Sequence, residues 1–298
     1  MLVAVAILGC FLILNRQEEP QFDGQSLSEW LIIYAKNAGD GEGKSKPEAE
    51  KAKQAIRNIG TNGIPTLLKL IQYEPSPRRL KIANAVEKLP RFMWDNRLVR
   101  GVFSDPVDKS TQAAENATLA FLIMRSGASV AVPALTQLMC QTNRVTVANR
   151  ATYCLAAIGK EGLPSLLIAL ANPQLPCCQV AARDLGIGPP FDFGTNAEAA
   201  IPLLANLTSN TNESLVKSAI RALGRVHAYP QVAVPALTNA LRSTSSVVRW
   251  EAEHAISYFG TNAVCAVPLL LESLADGNYT IRSAATNALL QIAPQTLK

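Results

Sequence analysis

The chain has 298 residues, of which 48% are hydrophobic and 17% charged, and it carries a formal net charge of +5. That balance excludes a disordered chain, and the length suits two domains or one long repetitive one. Aromatics make up only 6%, which argues against a core built on large rings and for helices packed closely on Ala and Leu. The basic excess is densest over 51–100, where the only acids are Glu74, Glu87 and Asp95. Such a stretch favours an anionic partner or is simply a solvated helix face, since Lys and Arg are routine surface residues.

In chain order, the run from Met1 to Leu14 is apolar throughout. As a helix it would span about 21 Å, short of a hydrocarbon core of about 30 Å. It has the length of a signal-peptide apolar region but lacks the Lys/Arg that normally precede one. The stretch ILGC ending at Cys10 resembles a lipobox, in which that cysteine is lipidated, although FLIL follows where lipoproteins usually turn polar. Residues 1–15 are therefore expected to be an uncleaved membrane anchor, ahead of a lipoprotein signal and then a cleaved one. Each option puts the rest of the chain at a membrane or beyond it, and the expected location is membrane-anchored and extracytoplasmic. Residues 16–47 read as a capping helix and a joint. QSLSEWLIIYAKN (25–37) opens with Ser26 and Glu29 at capping-box spacing. Trp30 is expected to cover the end of the array that follows, and AGDGEGKSKP (38–47) has the composition of a flexible connection.

Residues 48–298 hold a repeat. GIPTLLKLI, AVPALTQLM, GLPSLLIAL, AIPLLANLT, AVPALTNAL and AVPLLLESL place Pro65, Pro133, Pro164, Pro202, Pro235 and Pro268 at separations of 68, 31, 38, 33 and 33 residues, the first being two periods. Proline fits the first turn of a helix because its missing N–H would be unpaired there. Each leucine run is thus a short helix, A. A polar turn and a second helix, B, follow. In SSVVRWEAEHAISYFG, Val248, Ala252, Ala255, Ile256 and Phe259 mark one apolar helical face. Glu251, Glu253 and His254 are expected on or beside its polar side, and Gly260 as a left-handed stop. GTN recurs after three B helices, at 60–62, 194–196 and 260–262. Two stretches break the pattern: 90–110, and GIGPPFDFGTNAEA at 186–199. Insertions of this kind project from one face of a stacked array and can carry binding, or are loop padding.

The A-helix VPLLLESLADG and the B-helix IRSAATNALLQI resemble HEAT repeats, particularly the short bacterial kind found in phycobilisome lyases. Ile281–Arg282 and Val248–Arg249 occupy that family's Val-Arg position, and Lys217 replaces the arginine one repeat earlier. The resemblance covers about residues 48–298. It implies an armadillo-like, all-α, right-handed α-α superhelix of about seven helical hairpins, whose concave B-helix face binds a protein or peptide.

No phosphate-loop, dinucleotide or nucleophile-elbow motif occurs. The only histidines, His227 and His254, are followed by alanine, so the His-Glu pairs that hold iron in HEAT-like hydroxylases are missing. Among six cysteines no pair has C-x-x-C spacing, and most are expected to be small buried residues. Cys140 and Cys154 could meet across a hairpin. No catalytic residue, metal or cofactor is expected. The candidate partner-binding residues are Arg78, Arg79, Lys81 and Trp94 in the basic region, and Arg249, Trp250, His254, Tyr258 and Arg282 on the last two B helices. Trp250, His254 and Tyr258 recur every fourth residue on one side of their helix, either as an exposed anchor stripe or packed on the next repeat. The leading expectation is a non-catalytic scaffold for a protein or peptide at a membrane. The alternatives are a binder of anionic ligands through 78–100, with lipid headgroups favoured over nucleic acid, and a lyase-like accessory protein.

Overall fold

A computed structural model describes residues 19–38, 46–75, 106–188, 191 and 193–297. The chain divides into two compact units, Met1–Met124 and Arg125–Lys298.

The first unit opens with a minimal hairpin. Strands β1 (Gln21–Phe22) and β2 (Gln25–Ser26) pair antiparallel. Asp23 and Gly24 between them both take positive φ, 51° and 75°, the geometry that lets a two-residue turn follow the twist of paired strands. Helix α1 (Leu27–Asn37) follows with the expected capping box: Ser26 Oγ accepts from the Glu29 backbone N–H, and the Ser26 N–H donates to Glu29 Oε2 at 2.7 Å. Trp30 is buried, and its Nε1–H donates to the Phe22 carbonyl at 2.9 Å. Its ring also meets Lys51 of α2 (Pro47–Ile59), with Nζ 5.6 Å from the ring centre. Helix α2 buries Ala49, Ala52, Ala55, Ile56 and Ile59. A 3-10 turn (Gly60–Gly63) leads into α3 (Ile64–Ile71), and α4 (Pro106–Met124) packs against α1, α2 and α3.

The second unit is an all-α repeat superhelix of five consecutive hairpins. The A helices are α5 (Val132–Met139), α7 (Leu163–Leu170), α9 (Ile201–Leu207), α11 (Pro230–Ala240) and α13 (Val267–Ser273). The B helices are α6 (Val145–Ile158), α8 (Cys178–Ile187), α10 (Glu213–Val226), α12 (Ser246–Ser257) and α14 (Tyr279–Ile292). Each B helix packs on the next along the series, while neighbouring A helices meet more sparsely and partly through 3-10 turns. The core lies between the layers, with Leu135, Leu166, Leu204, Leu237 and Leu270 of the A helices all buried.

Most A helices begin with proline in their first turn, as the sequence predicts. Pro235 differs, because it lies inside α11. In that repeat His227 and Tyr229 take left-handed φ of 36° and 46°, and the helix starts early, at Pro230. Elsewhere the GTN motifs open 3-10 turns, with Gly60, Gly194 and Gly260 at φ 55°, 54° and 50°. Cys154, Cys177 and Cys178 are buried, Cys140 and Cys265 are exposed, and all five are free thiols.

Candidate partner-binding site

At two glycines the B helices approach too closely to leave room for a Cβ. A Cβ added to Gly186 of α8 would come within 2.9 Å of the Ala222 nitrogen in α10. One added to Gly224 of α10 would lie 2.8 Å from Ala255 Cα in α12. Backbone therefore packs on backbone along three consecutive B helices.

Above this floor runs a trough. A groove of about 260 Å³ is lined by Gly186, Arg221, Arg225, Trp250, Glu251, His254, Ala255 and Tyr258. Trp250 and Tyr258 are 37% and 52% exposed, and His254 is exposed between them. The Trp250 and His254 rings stack, with centroids 5.8 Å apart and planes 3° from parallel. Tyr258 meets the imidazole edge-on at 5.4 Å, and its hydroxyl lies 3.2 Å from His254 Nε2. Four-residue spacing thus builds one aromatic ladder.

The insertion at 186–199 shapes a second cavity of about 600 Å³, lined among others by Phe191, Phe193, Glu198, Arg125, Arg225 and His227. Phe191 and Phe193 are buried, with the Phe191 ring edge-on to Tyr153 at 5.2 Å. These rings fold back on the array and form a cavity wall. Arg225 lines both cavities.

The charges on α10 and α12 sort into two kinds. Arg221 donates to both oxygens of Glu251, from Nε at 3.3 Å and from Nη2. Glu251 is 4% exposed, so this pair ties two B helices together. Glu253 is wholly buried, and Ser273 and Arg249 offset that burial only in part. Burial, with the Asp276 charge nearby, pushes its carboxyl up to about 7. Asp184 in α8 is also wholly buried and is pushed up to about 6 by burial, although Arg183 Nε donates to it at 2.8 Å. The placement of both glutamates on or beside the polar side of α12 is thus corrected. Position 251 faces the neighbouring B helix, and position 253 faces inward. Only His254 of the three is exposed.

A family model described as HEAT repeats matches residues 178–257 and, overlapping them, 201–290.

Residues 178–290 are HEAT repeats. Among solved structures, an engineered protein is 15% identical over 91% of this chain and 99% of its own, with a TM-score of 0.46. Kap121p, solved bound to Pho4p, is 14% identical over 90% of this chain and 29% of its own, with a TM-score of 0.52. A designed armadillo repeat protein in complex with the peptide (KR)4 is 14% identical over 89% and 98%, with a TM-score of 0.35. At these identities the likeness concerns the fold alone. No curated protein matches the chain.

The two arginines at the HEAT Val-Arg position clamp turns. Arg249 Nη1 donates to the carbonyls of Ser243 and Thr244 at 2.9 and 3.2 Å, and its Nη2 donates to Asp276 of the next repeat at 2.8 Å. Arg282 Nη1 donates to the carbonyls of Asp276 and Gly277 at 2.7 and 3.1 Å, and its guanidinium lies 5.8 Å from the Tyr279 ring centre. Both therefore stand at the A–B turns and line neither cavity, whereas Trp250, His254 and Tyr258 come together in the trough of the HEAT array. Arg78, Arg79, Lys81, Trp94 and Cys10 lie outside the described residues, as does the 1–15 segment. Among the described residues no group of three or more His, Cys, Asp or Glu could hold a metal ion. Arg221 and Arg225 are not legible as site residues in the sequence, because their place in the trough depends on register between repeats that single-repeat spacing does not reveal.

Proposed function

We propose that the chain is a non-catalytic HEAT scaffold that holds a protein or peptide segment in the trough over α8, α10 and α12. One observation carries this reading: the Trp250–His254–Tyr258 ladder stands exposed beside a groove whose floor is bare backbone and small side chains. Rigid aromatic anchors next to a concave surface are the usual energetic centre of a protein interface. Kap121p, which shares the fold, was solved with Pho4p bound, and this supports a protein or peptide as the class of partner. The apolar stretch from Met1 to Leu14 supports the further proposal that the partner is met at a membrane.

Panning a displayed peptide library on the full chain tests the first part. Peptides should be enriched on the native chain and lost on the double variant Trp250→Ala, Tyr258→Ala. Enrichment that survives both substitutions would sink the trough as the site. For the second part, cell fractionation should move the chain from membrane to soluble fractions when residues 1–15 are deleted; an unchanged distribution refutes the anchor.

A further inference from the structure

Resting on the same trough, we infer that its partner is an acidic extended segment of about six residues, with a carboxylate pairing Arg225. The argument starts from how the cations along this face are neutralised. Arg183 pairs with Asp184 at 2.8 Å, Lys217 with Glu213 at 3.7 Å, and Arg221 with Glu251. Arg225, one turn along α10 from Arg221, has no carboxylate within 4 Å among the described residues. It is exposed, and its side chain is positioned. Gly188, at φ 76°, has no Cβ, and one built there would run into the Arg225 guanidinium. The insertion thus presents bare backbone where the guanidinium lies, with one cavity on either side. In the larger cavity Arg125 is a second cation, and Glu198, the only carboxylate among the described residues that line it, makes no ion pair with Arg225. The one carboxylate of the smaller groove, Glu251, is already matched by Arg221.

The size of the occupant follows from the helix spacing. Packed helices lie about 8–10 Å apart, so a ligand crossing three of them runs about 16–20 Å, the length of about six extended residues at about 3.3 Å each. A segment of that length can seat an apolar side chain against the aromatic ladder, place an acid on Arg225, and reach the Phe191–Phe193 wall. Arginine is the suitable cation here, because its planar fork takes a carboxylate through two parallel hydrogen bonds.

The experiment uses the full chain and fluorescent six-residue peptides in which Asp or Glu alternates with Leu or Phe. Copies with every acid replaced by Lys, and vesicles of phosphatidylserine, serve as the other probes. Fluorescence anisotropy should show the acidic peptide binding at least tenfold more tightly than its Lys copy. Arg225→Glu should reverse that order, while Arg242→Glu, at an exposed position that lines neither cavity, should leave it unchanged; circular dichroism checks that both variants fold. Equal affinity for the two peptides, or an acidic preference that survives Arg225→Glu, overturns the inference. So does Arg225-dependent binding of the vesicles in preference to the peptides. If library panning yields Trp250-dependent peptides that are neutral or basic, the inference fails while the scaffold reading stands. A library with no Trp250-dependent binder defeats both.

Discussion

Arg249 and Asp276 join two successive repeats: the guanidinium on the first turn of α12 meets a carboxylate in the following A–B turn at 2.8 Å, while its other amino group holds two carbonyls of its own repeat. The same carboxyl accepts from the Asn278 backbone N–H and, with Arg249 beside it, is held below the ordinary aspartate range. Arg249→Ala should lower the stability of the array by about 2 kcal/mol, since it leaves part-buried carbonyls without their charged donor. Arg249→Lys should recover little, because an ammonium cannot serve three acceptors set around a fork. Asp276→Asn, which leaves the carbonyl bonds intact, should shift the urea midpoint less than Arg249→Ala. The reverse order would mean that the ion pair, and not the turn, is what this arginine supports.

Glu253 makes the stability of the array depend on pH. Its carboxyl is raised from 4.5 to about 7 in the folded state, so the folded chain holds the proton more tightly than the unfolded one. The stability tied to that proton is fully present below pH 4.5 and is lost as pH rises through 7. Over that window it amounts to on the order of 3 kcal/mol. Asp184, raised from 3.8 to about 6, acts in the same direction at lower pH. Glu253→Gln should therefore flatten the fall in the urea midpoint between pH 6 and 7.5 and raise the midpoint at pH 7.5. An unchanged pH profile would show that the carboxylate finds water or a partner when ionised.

Gly224 should not tolerate a methyl group. Alanine is ordinarily the better helix former by about 1 kcal/mol. At this position its Cβ would lie 2.8 Å from the Cα of Ala255, and α10 and α12 would have to part. Gly224→Ala is expected to destabilise by about 2 kcal/mol, within the usual range for overpacking. Gly277→Ala, with nothing within 4 Å, is the control and should be near neutral. Thermal melts of the two variants decide the matter.

Trp30 closes the first unit both by area and by one bond. Trp30→Ala should cost about 4 kcal/mol, as for other buried large rings. Trp30→Phe keeps most of the contact but leaves the Phe22 carbonyl without its indole donor, at about 1 kcal/mol. Hydrogen exchange in α1 and α2 would report both losses, and equal protection in the two variants would show that ring size does not matter there.

Much of this architecture is legible in the sequence, because each repeat states its own helices. Proline followed by leucines marks A, an alanine-rich face marks B, and a glycine at positive φ marks the stop. The spacing of the ladder is legible too, since Trp250, His254 and Tyr258 recur along a single helix, but not whether it stands exposed or packs on the next repeat. What one repeat cannot state is its register against the next. Glu251 and Glu253 look like polar-face residues of an isolated α12, yet one faces Arg221 across thirty residues and the other is sealed inside. Arg249 and Arg282 look like free surface cations until the turns they clamp are seen. The Asp23–Gly24 turn carried a readable hairpin signal, but strands as short as β1 and β2 have too few residues to show alternation.

The glycine contacts at 186 and 224 bear on more than packing. A stack whose members sit closer on one side than on the other bends toward the tight side, as wedge-shaped stones make an arch. Here the tight side is the B layer, and two of its glycine joints lie beside the groove that the aromatic ladder lines. The closeness of α8, α10 and α12 therefore depends on two missing side chains. A substitution there would open the arch and move the aromatic and cationic groups apart while leaving each of them chemically intact.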